Sequence, residues 1–346
     1  MRDNTRMTKL TQSYMTGEGT GQLLYETIGA CFDRVTSQQS ENTALVVRHQ
    51  DIRWTYAEFR RQVDRLATGL LALDIQPGDR VGVWGPNSYE WVVTQFATAK
   101  IGAILVNVNP AYRLYELEYV LNKVECKAIV AAEKFKSSEY LQMLNTLAPE
   151  IASCEPGYLR SEKLPHLTTV IRMGEERSPG MFNFEEICSL GSPSHYARLE
   201  ELAGTLGPDD AINIQFTSGT TGNPKGVLYS HRSTILHAYA SIMPDAMGMS
   251  ARDTILPIVP MFHVNAWGSP YLCPMVGAKL VMPGPKMGDG AALVRAVGAT
   301  GPRFAPGTSG PTRIPAMVGQ ATPITRPTAR KNSWNGTILS SSTLPR

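Results

Sequence analysis

Apolar residues recur along most of this chain in two rhythms that take turns. Between about Thr43 and Val281, short β-branched runs alternate with segments of helical spacing, which predicts an α/β architecture. Thr55-Tyr56-Ala57-Glu58 has the pattern of a capping box, in which hydroxyl and carboxylate each accept an N–H that a helix start leaves free. Phe59, Val63, Leu66 and Leu70 then fall three and four residues apart, as one buried helical face requires. Pro77-Gly78-Asp79 turns the chain into Val81-Gly82-Val83-Trp84, a predicted strand. A helix is predicted over 89–100 with Trp91, Phe96 and Ala99 inward, and a strand over 104–108 stopped by Asn109-Pro110. A further helix at 114–121 and strand at 128–132 complete the pattern. Repeated βαβ units imply a parallel or mixed sheet.

Residues 137–207 are looser, with Pro, Gly and Ser between short periodic pieces and a strand at 167–171. Regularity returns at Ala211-Ile212-Asn213-Ile214-Gln215-Phe216, a strand entering a Gly-rich loop. A second strand leaves that loop at 226–229, followed by a helix over about 230–241. From Ala296 the text becomes rich in Gly, Pro, Ser, Thr and Arg, and no Asp or Glu occurs after Asp289. Such a composition buries little apolar surface against its ordering entropy. It reads as a disordered tail or as a shifted reading frame. The chain thus divides into a lead (1–19), a main body (20–295) and a tail (296–346).

Composition narrows the class. Hydrophobic residues at 42% and charged residues at 18% suit a globular enzyme with a substantial core. No apolar run is long enough to cross a bilayer, and Met1 to Leu10 has no apolar stretch of secretory type. Cys31, Cys126, Cys154, Cys188 and Cys273 are scattered, without a CxxC pair or histidines at zinc spacing. A reduced, cytoplasmic setting is therefore expected. The net charge of +3 comes from the tail, which carries six basic residues and no acid. Without it the body is slightly acidic, so no nucleic-acid partner is expected.

The candidate chemistry lies in Thr217-Ser218-Gly219-Thr220-Thr221-Gly222-Asn223-Pro224-Lys225. Glycines let the backbone curl so that successive N–H groups converge on an anion, and the hydroxyls add donors. Lys225 supplies a mobile point charge for phosphate oxygens. A Walker A loop needs Gly-Lys-Ser/Thr, whereas Lys225 stands after Pro224 and before Gly226-Val227.

The run from Ile214 through Val227 looks like the signature phosphate loop of the AMP-binding, or adenylate-forming, superfamily. Pro260-Met261-Phe262-His263-Val264-Asn265-Ala266-Trp267-Gly268 is similar to its acyl-pocket motif, between a strand and a helix. The segment from Gly102 to Arg113, with Pro86-Asn87-Ser88 and Trp54-Thr55-Tyr56, resembles the fatty acyl-CoA synthetase branch, with wording closest to medium-chain enzymes. The resemblance implies the N-terminal portion of the family's large α/β domain, with stacked mixed and parallel sheets. It also implies ATP, Mg2+ and CoA as cofactor and co-substrates, and a fatty acid as the acyl partner. Thr217, Ser218, Gly219, Thr220, Thr221, Gly222, Asn223, Pro224 and Lys225 would hold the phosphates. His263 would be the catalytic candidate beside the acyl carboxylate, with Phe262 and Trp267 lining the acyl site. A histidine among apolar residues is also a common core residue, and the two aromatics could equally be core packing. Asn109 and Tyr112 read as a strand-to-helix turn, and His231 as a solvated helix start.

Family members also carry a Tyr-Gly-x-Thr-Glu segment, a Thr-Gly-Asp segment and a C-terminal domain with a catalytic lysine. None occurs in these residues. The sequence-based expectation is a truncated or frameshifted ligase, without the C-terminal domain and inactive by itself, with sheet edges left uncovered. Alternatives are a non-catalytic nucleotide- or acyl-binding remnant, or an aryl or amino-acid adenylating relative.

Overall fold

The computed structural model describes residues 26–217, 223–286 and 289–291. The lead at 1–19, the tail at 296–346 and Ser218 to Gly222 of the phosphate loop lie outside the described residues.

The chain enters α1 (Ile28–Gln38) at Thr27, whose hydroxyl accepts the Ala30 N–H. Strand β1 (Thr43–Val47) pairs antiparallel with β2 (Ile52–Thr55), which runs directly into α2 (Tyr56–Ala72). The expected capping box is present there. Thr55 Oγ1 accepts the Glu58 N–H at 3.2 Å, and Glu58 Oε2 accepts the Thr55 N–H at 2.8 Å. A βαβαβ run follows: β3 (Arg80–Trp84), α3 (Tyr89–Ile101), β4 (Ile104–Asn107), α4 (Leu114–Lys123) and β5 (Cys126–Ala131). Gly102, at φ 74°, closes α3 in the left-handed form that suits glycine. The turn expected at Asn109 is formed, with Asn109 Oδ1 accepting the Ala111 N–H and its carbonyl accepting the Tyr112 N–H.

The loose stretch is more regular than its sequence suggests. After β6 (Lys134–Phe135), which lies just before it, the stretch holds that strand's hairpin partner β7 (Ser138–Glu139), α5 (Tyr140–Leu147), β8 (Thr169–Arg172) and β9 (Phe182–Asn183). Then come α6 (Phe184–Cys188) and the 13-residue α7 (Pro193–Thr205), opened by Pro193 in the first turn. Strands β10 (Ala211–Phe216) and β11 (Gly226–Ser230) flank the phosphate loop and precede α8 (His231–Ile242). Strands β12 (Thr254–Ile255) and β13 (Lys279–Met282) bracket the acyl-motif segment and the helix Ser269–Val276.

Seven strands form one sheet in the order β11-β10-β4-β3-β5-β8-β9, parallel throughout except for the antiparallel β11. Four more form a second mixed sheet in the order β12-β13-β1-β2. In β1 the two-residue period splits the side chains: Leu45 and Val47 join the main core, while Val46 meets Val281 on the other face. At the opposite end of the molecule's larger sheet, edge strand β11 leaves Val227 and Leu228 exposed.

Helix α3 departs from expectation. Every residue from Glu90 to Ile101 is buried, so no solvent face exists. The helix lies against β3 and β4 and is also packed by α1, α2 and α7. Some of its polar side chains find local partners, whereas Trp91 Nε1 and both polar atoms of Gln95 are buried without one. Thr94 and Thr98 donate to the Glu90 and Thr94 carbonyls, and Glu90 accepts from Gln50 Nε2 at 2.8 Å. Lys100 Nζ reaches Asp33 at 2.7 Å and Asp64 at 2.5 Å.

Candidate functional site

Strands β10 and β11 pair up to Phe216 opposite Gly226, which aims the connecting loop off the carboxyl end of β10. In open α/β sheets, ligands gather at the carboxyl ends of the parallel strands. The Thr217 N–H donates to the Lys225 carbonyl at 2.9 Å, and the Lys225 N–H reaches Thr217 Oγ1 at 3.4 Å. These bonds close the neck of the loop, so its two ends are held together. Thr217, Asn223 and Lys225 are exposed and Pro224 is half-buried. The lysine side chain is therefore free to meet a phosphate from solvent. Five of the nine expected phosphate contacts lie outside the described residues.

The acyl-motif segment follows a different path from the one expected. Phe262 is half-buried and packs on the core, whereas His263 is exposed and Trp267 is 52% exposed. The core alternative therefore does not hold for His263 or Trp267. After His263 the chain does not enter a right-handed helix. Val264, Asn265, Ala266 and Trp267 carry φ values of 48°, 47°, 49° and 58°, and Gly268 follows at 74°. This is one left-handed turn built largely from L-residues, which costs about 1–2 kcal/mol per residue. Gly268 is needed there on two grounds. Its φ is left-handed, and a Cβ would stand 2.9 Å from His237 Cε1 and from Leu272 Cδ1.

One buried contact joins the two motifs. Asn213, on the strand that feeds the phosphate loop, donates through Nδ2 to Asn265 Oδ1 at 3.2 Å and to the Tyr271 hydroxyl at 3.2 Å. Its own Oδ1 accepts from Asn107 Nδ2 at 2.7 Å. The phosphate-loop strand, its neighbour β4 and the acyl motif thus meet through three amides. Sequence reasoning assigned no role to the side chains of Asn107 and Asn213. Their polarity at interior strand positions was the available signal.

His231 corrects the expectation of a solvated helix start. It is fully buried, and its Nδ1 accepts the backbone N–H of Ile28. Its ring serves the packing of α1 on α8, which only the tertiary fold brings together. Among the described residues, no group of three His, Cys, Asp or Glu side chains converges as a metal site. No helix among them is long and apolar enough to cross a membrane.

A family model described as AMP-binding enzyme matches residues 32–320. Medium-chain acyl-CoA ligase ACSF2, mitochondrial, of Danio rerio is 41% identical over 312 residues, covering 90% of this chain and 51% of its own length. The Homo sapiens protein of that name is 41% identical over 280 residues, covering 79% and 45%. The chain spans about half the length of the curated relatives it matches. Among solved structures, a Mycobacterium tuberculosis fatty acyl CoA synthetase aligns at a TM-score of 0.58 and 25% identity, over 74% of this chain and 44% of that one. The anthranilate CoA ligase AuaEII, solved with anthranoyl-AMP, aligns at 0.61 and 22% identity, over 75% and 45%; at that identity the likeness is one of fold. By its loop, its sheet and this match, the chain belongs to the AMP-binding enzyme family.

Proposed function

We propose that this chain carries the phosphate-gripping and acyl-facing part of a fatty acyl-CoA ligase. In the reaction, a carboxylate oxygen of the fatty acid attacks the α-phosphorus of ATP and pyrophosphate leaves. The CoA thiol then attacks the acyl carbonyl, and AMP leaves. Both substrates of the first step are anions, so donors fixed in advance lower its barrier. Thr217, Asn223, Pro224 and Lys225 hold the β- and γ-phosphates together with Ser218, Gly219, Thr220, Thr221 and Gly222. His263 stands beside the acyl carboxylate, with Phe262 and Trp267 along the chain of the acid. Mg2+ bound with ATP would offset phosphate charge during the first step. Five free cysteines, four of them buried, support a reducing compartment such as the cytoplasm.

The observation that carries this reading is the closed neck between Thr217 and Lys225 at the end of β10, the same strand that Asn213 and Asn265 tie to the acyl motif. Measuring ATP–pyrophosphate exchange with a panel of fatty acids tests it, because only adenylation returns label to ATP. A second reading is ligand binding without turnover by these residues. ATP bound in calorimetry without exchange supports that second reading. Absence of ATP binding overturns both.

A further inference from the structure

A left-handed turn of four L-residues persists only where its surroundings over-determine it. Two asparagines flank this one. Upstream, Asn87 in the loop between β3 and α3 is 1% exposed and grips the chain just before Phe262. Its Nδ2 donates to the Val259 carbonyl at 3.1 Å, and its Oδ1 accepts the Met261 N–H at 2.8 Å. The side-chain amide thereby imitates a neighbouring strand, using one donor and one acceptor on alternate residues. Downstream, Asn213 is 0% exposed and holds Asn265 inside the turn itself. Both Nδ2 hydrogens of Asn213 are engaged, by Asn265 and Tyr271, and its Oδ1 is engaged by Asn107. His263, between the two grips, and Trp267, two residues beyond the second, are both exposed.

We infer that Asn87 and Asn213 are positioning residues that hold 264–268 in its left-handed form and so set where His263 and Trp267 stand. The inference rests on the proposed acyl-site reading for the ligand, but not for the geometry. Because Asn213 lies on β10, the strand that ends in the phosphate loop is also the strand that orients the acyl motif. A change of register in β10 would move both together.

The test uses the full chain and the emission of Trp267, isolated by subtracting the spectrum of each matching Trp267→Phe protein. Asn87→Ala and Asn213→Ala are compared with Thr98→Ala, which removes a buried hydroxyl of α3 bonded only to its own helix. Both asparagine variants should change acrylamide quenching of Trp267 by about twofold, while Thr98→Ala leaves it unaltered. Adding Ala266→Gly to Asn213→Ala should restore the native signal, because glycine adopts the left-handed form without a clamp. An unchanged Trp267 signal in both asparagine variants, or an equal change in Thr98→Ala, overturns the inference. Should the alanine chains not fold, hydrogen exchange in the wild-type chain decides. Ala266 and Gly268 amides as protected as those of β10 support the clamp, and exchange as fast as in an exposed loop overturns it. Decanoate is then titrated, and its affinity should fall about tenfold in the asparagine variants. A chain with a native Trp267 signal that binds no decanoate overturns the acyl-site reading, while the quenching result still decides the clamp.

Discussion

His231 Nδ1 accepts the backbone N–H of Ile28 at 3.0 Å, across 203 positions of chain. Ile28 is the first residue of α1, so its N–H has no partner within the helix. An accepting Nδ1 leaves the ring proton on Nε2, which is buried with no hydrogen-bond partner. Burial pushes the ring down from 6.5 to about 4, against the opposing pull of the Asp210 carboxylate. A histidine held neutral stabilises the fold fully above its unfolded value, and that contribution is lost as pH falls from 6.5 towards about 4. The contribution is on the order of 3 kcal/mol. Urea unfolding at pH 7 and pH 5 should show a clear loss for the wild type and a smaller one for His231→Asn, whose carbonyl accepts without titrating. Equal losses in the two proteins would refute this role.

Lys100 ties three helices together by reaching Asp33 on α1 and Asp64 on α2 from the end of α3, with 6% of its side chain exposed. Lys100→Met should lower stability by up to about 3–5 kcal/mol, because Asp33 and Asp64 then lose their buried cation and keep only the more exposed Arg60. Adding Asp33→Asn and Asp64→Asn should recover part of that loss. Denaturant midpoints of the three proteins check the order. A Lys100→Met chain as stable as wild type would show that the cluster contributes little.

At the phosphate loop, Lys225→Ala should leave the neck intact, since the Thr217 N–H is held by the Lys225 carbonyl rather than its side chain. Thermal stability is therefore expected to stay within about 0.5 kcal/mol. ATP affinity should fall at least about tenfold with the loss of a charge-assisted contact. Calorimetric titration with ATP measures this, and an unchanged affinity contradicts the assigned role.

Two glycines should respond in opposite directions to the same substitution. Gly268→Ala meets both a left-handed backbone and two side-chain atoms at 2.9 Å, so a loss of about 1–3 kcal/mol is expected. Gly204, near the end of α7, has open space around an added Cβ. Gly204→Ala should stabilise by about 0.4–1 kcal/mol by restricting the unfolded chain. Urea midpoints moving the same way in both variants would exclude the backbone explanation.

Features set by neighbouring residues were the legible ones. The capping box at Thr55 and Glu58 and the strand from Ala211 to Phe216 occur as read, because each depends on a short pattern. The family resemblance likewise rests on contiguous motifs and is borne out by the match over residues 32–320. What escaped depends on contacts far apart in sequence. The burial of His231 needs α1, and the loss of an exposed face on α3 needs helices on both sides of it in the chain. The turn after His263 escaped for another reason. Val264, Asn265, Ala266 and Trp267 have no intrinsic preference for left-handed backbone apart from the asparagine, so only their surroundings can impose it.

The complete enclosure of α3 has a consequence for how the protein is made. Its last covering helix, α7, ends at Thr205, whereas α3 itself ends at Ile101. At translation rates of about 5–20 residues per second, roughly 5–20 s separate the emergence of the two from the ribosome. Throughout that interval an apolar flank of a nearly all-buried helix stands open at the tunnel mouth. The codons between these two helices set how long that exposure lasts.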